Sequence, residues 1–190
     1  MNKRDGFENV KIFQEWSENG VSAVVWDAAI VLSNFLLSNR KLASGKRVLE
    51  LGAGTGLASI AAALSGAKEV VSTDRPAVLP LLKRNIQANT LSAPVTVQPL
   101  TWGCSIPEWA RNVDLVLGSD LIYDASVFSD LTATLRALAD KNVNLKVILA
   151  ATFRYAKDRN YLKSLRKFFS IHLLYHTQES HVFLYEISTK

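Results

Sequence analysis

The stretch RVLELGAGTGL, residues 47–57, decides the fold. Its first half, RVLEL, is an apolar run of the length and composition of a buried strand. Its second half carries three alternating glycines, Gly52, Gly54 and Gly56. Glycines permit a tight turn and a close approach of a ligand to the backbone, and a helix that begins near Leu57 would point its free amides at an anionic group. The stretch therefore predicts a strand, a glycine-rich turn and a helix, arranged for a nucleotide-like ligand.

Further apolar runs, rich in β-branched residues, follow the first one: EVVSTD (69–74), VTVQPL (95–100), VDLVL (113–117) and LKVILAA (145–151). Helix-like segments separate them near 57–66, 77–89 and 126–139. Strands that are apolar on both faces and alternate with helices indicate a parallel sheet with helices on both sides. The chain is therefore predicted to have a doubly wound α/β fold.

The two ends of the chain complete this pattern. Residues 7–16 resemble a short strand or hairpin, and apolar residues recur at helical spacing from Val24 to Leu37. After a helix near 158–169, the runs SIHLLYH and HVFLYEI are separated only by TQES, which is too short for a parallel crossover. We expect a mostly parallel, seven-stranded sheet that ends in an antiparallel hairpin, all within one domain spanning residues 1–190.

Composition limits the classes of protein to which the chain can belong. Its 190 residues, 48% hydrophobic and 21% charged, suit one globular domain. One cysteine, Cys104, and three histidines leave no disulfide framework and no metal-ligand cluster, so we expect a metal-free protein in the reducing cytoplasm. The apolar stretch VSAVVWDAAIVLSNFLL is interrupted by Asp27 and is expected to be too short to span a membrane. The pI near 9.4 is compatible with nucleic acid or with an acidic protein as a partner.

The glycine turn favours S-adenosylmethionine over a nicotinamide cofactor, which is the second choice. The dinucleotide motif requires a small residue where this chain has Leu57. Asp74 ends the second predicted strand, where a carboxylate can accept both ribose hydroxyls. Trp102 and Trp26 are candidates to lie against the adenine or near the sulfonium, although tryptophan in a small α/β protein is usually a core residue.

Several motifs, by their order and their spacing along the chain, resemble those of the methyltransferase-like 21 family of seven-β-strand protein-lysine methyltransferases. They are AVVWDAAIVLS, VLELGAGTGL, the acid of VSTDRP, NIQAN, LTWG and DLVLGSDLIYD, and the resemblance runs from about residue 7 to the end. It implies a Rossmann-like class I methyltransferase fold. It also implies that the cofactor contacts are Trp26, Glu50, Gly52, Ala53, Gly54, Asp74, Trp102 and Ser119. The family carries alanine where this chain has Ser119.

Within that family, TDRP, GLASIAAAL, ATFRYAKDRNYL and HVFLYEI resemble the branch that methylates heat-shock protein 70 chaperones. The branch that modifies elongation factor 1-alpha shares nearly all the cofactor motifs. The resemblance therefore implies a chaperone substrate, with elongation factor 1-alpha as the alternative. We expect the enzyme to act as a monomer.

The segment GSDLIYD (118–124) carries the candidate catalytic residues. Asp120 can accept a hydrogen bond from a lysine amine and offset its charge, and Tyr123 can line the lysine channel. An isolated D-x-x-Y is more often a strand-to-helix connection with a capping acid. A nucleic-acid amino-methyltransferase is a second alternative, but Leu121 and Ile122 replace the two prolines of its usual loop. A noncatalytic nucleotide-binding module is the third.

The region 136–167 is strongly basic, with nine basic residues against two acidic ones. Its local charge of +7 exceeds the +5 of the whole chain. A solvated helix face with loops explains such a region as well as a docking surface does. As a docking surface it would favour folded acidic partners, and reversing the charges of Arg154 and Arg159 would weaken association.

Overall fold

A seven-stranded sheet runs through the residues that the computed structural model describes, which are 10–16, 20–142 and 144–190. The strands are β1 (Arg47–Leu51), β2 (Glu69–Asp74), β3 (Val95–Pro99), β4 (Leu115–Ser119), β5 (Lys146–Thr152), β6 (Phe169–His176) and β7 (Val182–Thr189). Their order is β3-β2-β1-β4-β5-β7-β6. β1 to β5 are parallel to their neighbours, and β7 is antiparallel to both β5 and β6. The predicted fold class, with its closing hairpin, is confirmed.

Helices cover both faces of the sheet. They are α1 (Asp27–Ser38), α2 (Leu57–Leu64), α3 (Leu79–Gln87), α4 (Phe128–Lys141) and α5 (Ala156–Leu165). Alternate strand residues face opposite sides, as the period of a strand requires. Leu115 and Leu117 pack with α1 and α2 in one buried cluster, whereas Val116 packs with α4 and α5 in the other. Burial on both faces explains why the strands were recognisable as continuous apolar runs.

The observed boundaries differ from the predicted ones by a few residues. α1 begins at Asp27 and not at Val24, because a 3₁₀ turn over Gly20–Ala23 precedes it and Trp26 is extended. α5 begins at Ala156, earlier than predicted, because the buried Asp158 carboxylate accepts the backbone amides of Arg154 and Tyr155 at 3.0 and 2.9 Å. An acid at this position is the usual way to satisfy free amides at the start of a helix.

The predicted N-terminal strand is wrong for the part that can be checked. Residues 7–9 lie outside the described residues, and residues 10–15 form neither a helix nor a strand and do not pair with the sheet. Asn85, on α3, and Asn89, two residues past the end of α3, bind this segment instead. Each side-chain oxygen accepts a backbone amide, of Phe13 and Lys11 respectively, at 2.8 Å, and each side-chain nitrogen donates to the carbonyl of the same residue. The two amides thus replace a neighbouring strand.

The apolar stretch near the N-terminus is longer than the sequence interpretation assumed. Residues 20–38 would suffice to cross a membrane by length and composition alone, a test that the core helix of a soluble protein also passes. Within this stretch, α1 buries Leu32 and Leu36 against α2 and the sheet. The helix α1 itself has 12 residues and packs as a core helix, and the expectation that the stretch does not span a membrane stays a prediction.

Candidate active site

The glycine turn lies between β1 and α2, at the carboxyl edge of the parallel strands. Gly52, Gly54 and Gly56 have φ values of +58°, +54° and +84°, a region that favours glycine. A Cβ atom on Gly52 would lie 2.8 Å from the Leu121 side chain, and one on Gly54 would lie 2.8 Å from the Ser22 carbonyl oxygen. The turn prediction is confirmed, and packing within the protein gives a second reason for these glycines.

Asp74 ends β2 beside this turn and is almost fully buried. Its carboxylate accepts the Gly54 amide at 2.8 Å and the Arg75 amide at 2.7 Å. Burial raises the pKa of Asp74, and the two amide hydrogen bonds oppose that rise. A carboxylate has about four acceptor positions, so two of them are available to ribose hydroxyls. Asp74 thus shapes the turn and can also bind a ligand.

Glu50 is a completely buried carboxyl on β1, directly beneath the turn. One oxygen accepts the backbone amide of Ser59 at 2.8 Å and its hydroxyl, and that hydroxyl also lies 2.7 Å from the Ser72 hydroxyl. The other oxygen, Oε1, has no hydrogen-bond partner among the described residues. Burial raises the pKa of Glu50 to about 8, against the effect of the Ser59 hydrogen bonds. Glu50 is therefore a largely protonated acid at neutral pH with spare hydrogen-bonding capacity.

This raised pKa predicts how stability depends on pH. A group that binds its proton more tightly in the folded state stabilises the fold at low pH, and that contribution is lost as pH rises toward the folded pKa. The ligand-free protein should therefore lose on the order of a few kcal/mol of unfolding free energy between about pH 4.5 and 8 through Glu50. Glu50→Gln should flatten this slope and be more stable than the wild type at pH 8. Urea unfolding of both proteins across this range tests it, and parallel slopes would contradict it.

The two candidate tryptophans have different surroundings. Trp102 is partly buried, and its ring would lie 3.1 Å from a Cβ on Gly52. Trp26 caps α1 with its ring partly exposed, and its Nε1 donates to the Val21 carbonyl at 2.9 Å. Ala53, between the glycines, donates its amide to the Thr73 carbonyl at the end of β2. The structure thus brings these predicted cofactor residues together, and their contacts with a cofactor stay a prediction.

Asp120 follows directly after β4 and is held in an unusual geometry. Its φ is +54°, its side chain is 8% exposed, and its amide donates to the Ala150 carbonyl on β5. Both carboxylate oxygens accept from the Arg154 guanidinium, at 3.1 and 2.6 Å. The next residue, Leu121, packs against Gly52 and so connects Asp120 to the glycine turn. The candidate catalytic acid and the cofactor turn therefore form one site.

Tyr123 and Ser119 lie on either side of Asp120. Ser119 is the last residue of β4 and is partly buried. The Tyr123 ring is 43% exposed, and burial raises its pKa while the nearby Arg75 lowers it. A half-exposed ring beside Asp120 is placed to line a channel that opens to solvent.

The two arginines whose reversal was predicted to weaken docking, Arg154 and Arg159, have different surroundings in the structure, and the docking role of the basic region stays a prediction. Arg154 is paired with Asp120 inside the candidate site, whereas Arg159 lies over the rings of Phe153 and Phe183, at 5.1 and 5.8 Å. Reversing both charges would therefore disturb the site and the surface together. The sequence held the necessary signal, because Arg154 follows the carboxyl end of β5, the neighbour of the strand that leads to Asp120.

Comparisons with known proteins agree on the class of enzyme. A family described as lysine methyltransferase matches residues 5–168. Protein N-lysine methyltransferase METTL21A of Mus musculus is 40% identical, over 93% of this chain and 82% of that protein. EEF1A lysine methyltransferase 3 of Mus musculus is 34% identical, over 89% of this chain and 73% of that protein.

Among solved structures, the T. thermophilus 16S rRNA methyltransferase RsmC, in complex with AdoMet and guanosine, superposes with a TM-score of 0.64. It is 21% identical and covers 90% of this chain, which spans 45% of that one. This likeness shows the fold. Two features of the present site fit S-adenosylmethionine, namely the acceptor capacity of Asp74 at the strand end and the unpartnered Glu50 Oε1 beneath the turn.

Proposed function

Because the chain belongs to the lysine methyltransferase family, we propose that it methylates a lysine of a folded heat-shock protein 70 chaperone in the cytoplasm. The enzyme is a protein-lysine N-methyltransferase, and its cofactor is S-adenosylmethionine. One observation carries the assignment of the site: Asp120 is fixed at the carboxyl end of β4, and its neighbour Leu121 packs on the glycine turn. A lysine that reaches Asp120 would therefore lie beside the cofactor.

Lysine is a demanding substrate because its side chain is neutral in only about one molecule per thousand at pH 7.4. The bound cofactor supplies a methyl group on a positively charged sulfur. The enzyme must favour the neutral amine and orient its lone pair toward that methyl. Asp120 can accept a hydrogen bond from the amine, and the ring of Tyr123 can line its channel. As the nitrogen becomes cationic during transfer, the Asp120 carboxylate stabilises the new charge.

The chaperone is supported by the resemblance through TDRP, GLASIAAAL, ATFRYAKDRNYL and HVFLYEI. Elongation factor 1-alpha is the second candidate, because EEF1A lysine methyltransferase 3 is also a relative of this chain. A nucleic-acid substrate is disfavoured by the loop itself. Leu121 and Ile122, which replace the prolines of the nucleic-acid enzymes, are buried in the core and present no flat surface to a base.

The substrate class can be tested by labelling. We expect radiolabelled methyl groups from S-adenosylmethionine to enter a protein of about 70 kDa in a lysate, and to be removed by protease but not by nuclease. Mass spectrometry should place the label on a chaperone lysine. Label in elongation factor 1-alpha alone would mean that this protein, and not the chaperone, is the substrate. The proposed lysine chemistry would be unchanged. Label in RNA alone would refute both.

The basic surface on α5 gives a second prediction, which concerns variants that leave the Asp120–Arg154 pair in place. Lys157 and Arg159 are exposed, and reversing both charges should lower kcat/KM for an acidic substrate severalfold with little change in kcat. The wild-type kcat/KM should also fall as the salt concentration rises from about 0.05 to 0.3 M, because dissolved ions screen the charges and shorten the range of their attraction.

The matched control is the same double reversal at Arg40 and Lys41, two exposed basic residues near the amino end of β1. This control should behave as the wild type does. Equal losses in both double variants would mean that overall charge, and not a surface on α5, attracts the substrate.

A further inference from the structure

The Asp120–Arg154 pair is the strongest feature of the site that the proposed chemistry does not yet use. Arg154 follows the end of β5, and its guanidinium binds both oxygens of Asp120 with donor–acceptor distances of 3.1 and 2.6 Å. Planar, two-point pairing of this kind fixes the orientation of a carboxylate. The hydrogen bond from Arg154 to Asp120 also raises the pKa of Arg154, which therefore stays charged.

The pair leaves lone pairs on Asp120 that can accept from a second cation. Each oxygen of a carboxylate has two lone pairs, and the two-point contact with Arg154 uses one on each. The guanidinium also lies over the ring of Trp26, 5.7 Å from its centroid. Arg154 thus connects the candidate lysine site to a candidate cofactor residue, and it is held by contacts on two sides.

Other charged or titratable groups lie near Arg154 or near Tyr123. Tyr155 and Asp158, at the start of α5, act on Arg154. Asp74, Arg75 and Asp124, at or just after the ends of β2 and β4, act on Tyr123, as Asp120 does. Asp158 accepts the backbone amide of Arg154 and is itself buried. These groups are the same in the wild type and in a variant at position 154. Such a variant therefore changes only the charge of Arg154.

We propose that Arg154 is a positioning residue that orients Asp120 for the substrate lysine and, through its fixed positive charge, favours the neutral form of that lysine. The inference rests on the proposed function, because it requires a lysine nitrogen at Asp120. Two cations that share one carboxylate lie about 4 to 6 Å apart, a separation at which like charges disfavour each other. The lysine therefore loses its proton to solvent more readily beside Arg154. Its lone pair then forms the bond to the methyl carbon while the carbon–sulfur bond breaks and its electrons stay on sulfur.

The test is the pH dependence of single-turnover methyl transfer to purified heat-shock protein 70, or to whichever protein the lysate label identifies, with saturating S-adenosylmethionine. Arg154→Gln removes the charge and retains a hydrogen-bond donor. Its profile should shift by about one pH unit toward alkaline pH, with a rate about tenfold below wild type at pH 7.5 and within about threefold at pH 9.5. Arg154→Lys keeps the charge. Its rate profile should have the wild-type midpoint pH but a lower maximal rate. Arg40→Gln, a control that removes an exposed cation near the amino end of β1 and leaves the Asp120 pair intact, should not move the midpoint.

A second readout does not depend on turnover. Calorimetry of substrate binding to the enzyme with S-adenosylhomocysteine, in buffers of different ionisation enthalpy, counts the protons released. The wild type should release more than half a proton per bound lysine at about pH 9, near the midpoint that the rate profile implies, and Arg154→Gln should release clearly less. Equal proton release, or a rate deficit that is constant at all pH values, would overturn the electrostatic role. A faster Arg154→Gln enzyme at every pH would show that Arg154 obstructs the lysine. Absence of transfer by the wild type would refute the proposed function instead.

Discussion

Asp120→Asn is expected to reduce the single-turnover rate of methyl transfer at least about a hundredfold while the protein stays folded. Asparagine tolerates the positive φ of position 120 and can still accept one hydrogen bond from Arg154. It removes the negative charge that would stabilise the methylated ammonium. The variant therefore separates charge from backbone geometry, and quenched-flow measurement of labelled product would give the rate.

Asp120→Ala is the less selective change at the same position. Alanine at a φ of +54° costs roughly 1 kcal/mol in backbone strain, and it leaves the Arg154 guanidinium without its carboxylate. We expect this variant to lose both activity and stability, as denaturant unfolding would show. If Asp120→Asn transferred methyl groups at the wild-type rate, Asp120 would have only the structural role of binding Arg154.

Asp74→Ala is expected to weaken S-adenosylmethionine binding at least about a hundredfold, because two hydrogen bonds from ribose hydroxyls to a charged acceptor are lost. The Gly54 and Arg75 amides lose their acceptor as well, so the glycine turn is also less constrained. Titration calorimetry measures the affinity. Binding of NADH, but not of S-adenosylmethionine, to the wild type would contradict the cofactor assignment.

Two controls separate the ligand effect from the loss of a backbone contact. Asp114→Ala removes a carboxylate that also accepts a backbone amide at 2.8 Å, that of Arg47, at the amino end of β1. It should leave cofactor affinity unchanged. Asp74→Asn keeps an acceptor for one of the two amides and should bind more tightly than Asp74→Ala.

The sequence predicted the sheet well because its central strands are buried on both faces. Runs such as RVLEL and EVVSTD were therefore visible without knowledge of their partners, and their observed bounds are the predicted ones. The N-terminal segment was misread for the opposite reason. Its partners are two asparagine side chains on a helix about seventy residues away, and no local periodicity reports such a contact.

The same distinction holds in the candidate site. Asp74 and Asp120 could be selected because each follows directly after a recognisable strand, where ligand-binding residues collect in α/β folds. The role of Arg154 was missed because the composition of the basic run does not show which one of nine cations faces a carboxylate, and only its position after a predicted strand could have indicated it. The raised pKa of Glu50 likewise depends on complete burial, which a strand pattern indicates but does not measure.

The asparagine pair at the C-terminal end of α3, Asn85 and Asn89, also has a kinetic consequence. Four hydrogen bonds join the segment around Lys11 and Phe13 to Asn85 and Asn89, and none of them belongs to the sheet ladder. Asn85 also donates to the Thr55 carbonyl within the glycine turn. A local opening of this segment can therefore occur without global unfolding, as in proteins whose regions exchange with solvent independently. The contact between Asn85 and the glycine turn would then fluctuate on its own time scale, while the strands that hold Asp74 and Asp120 stay closed.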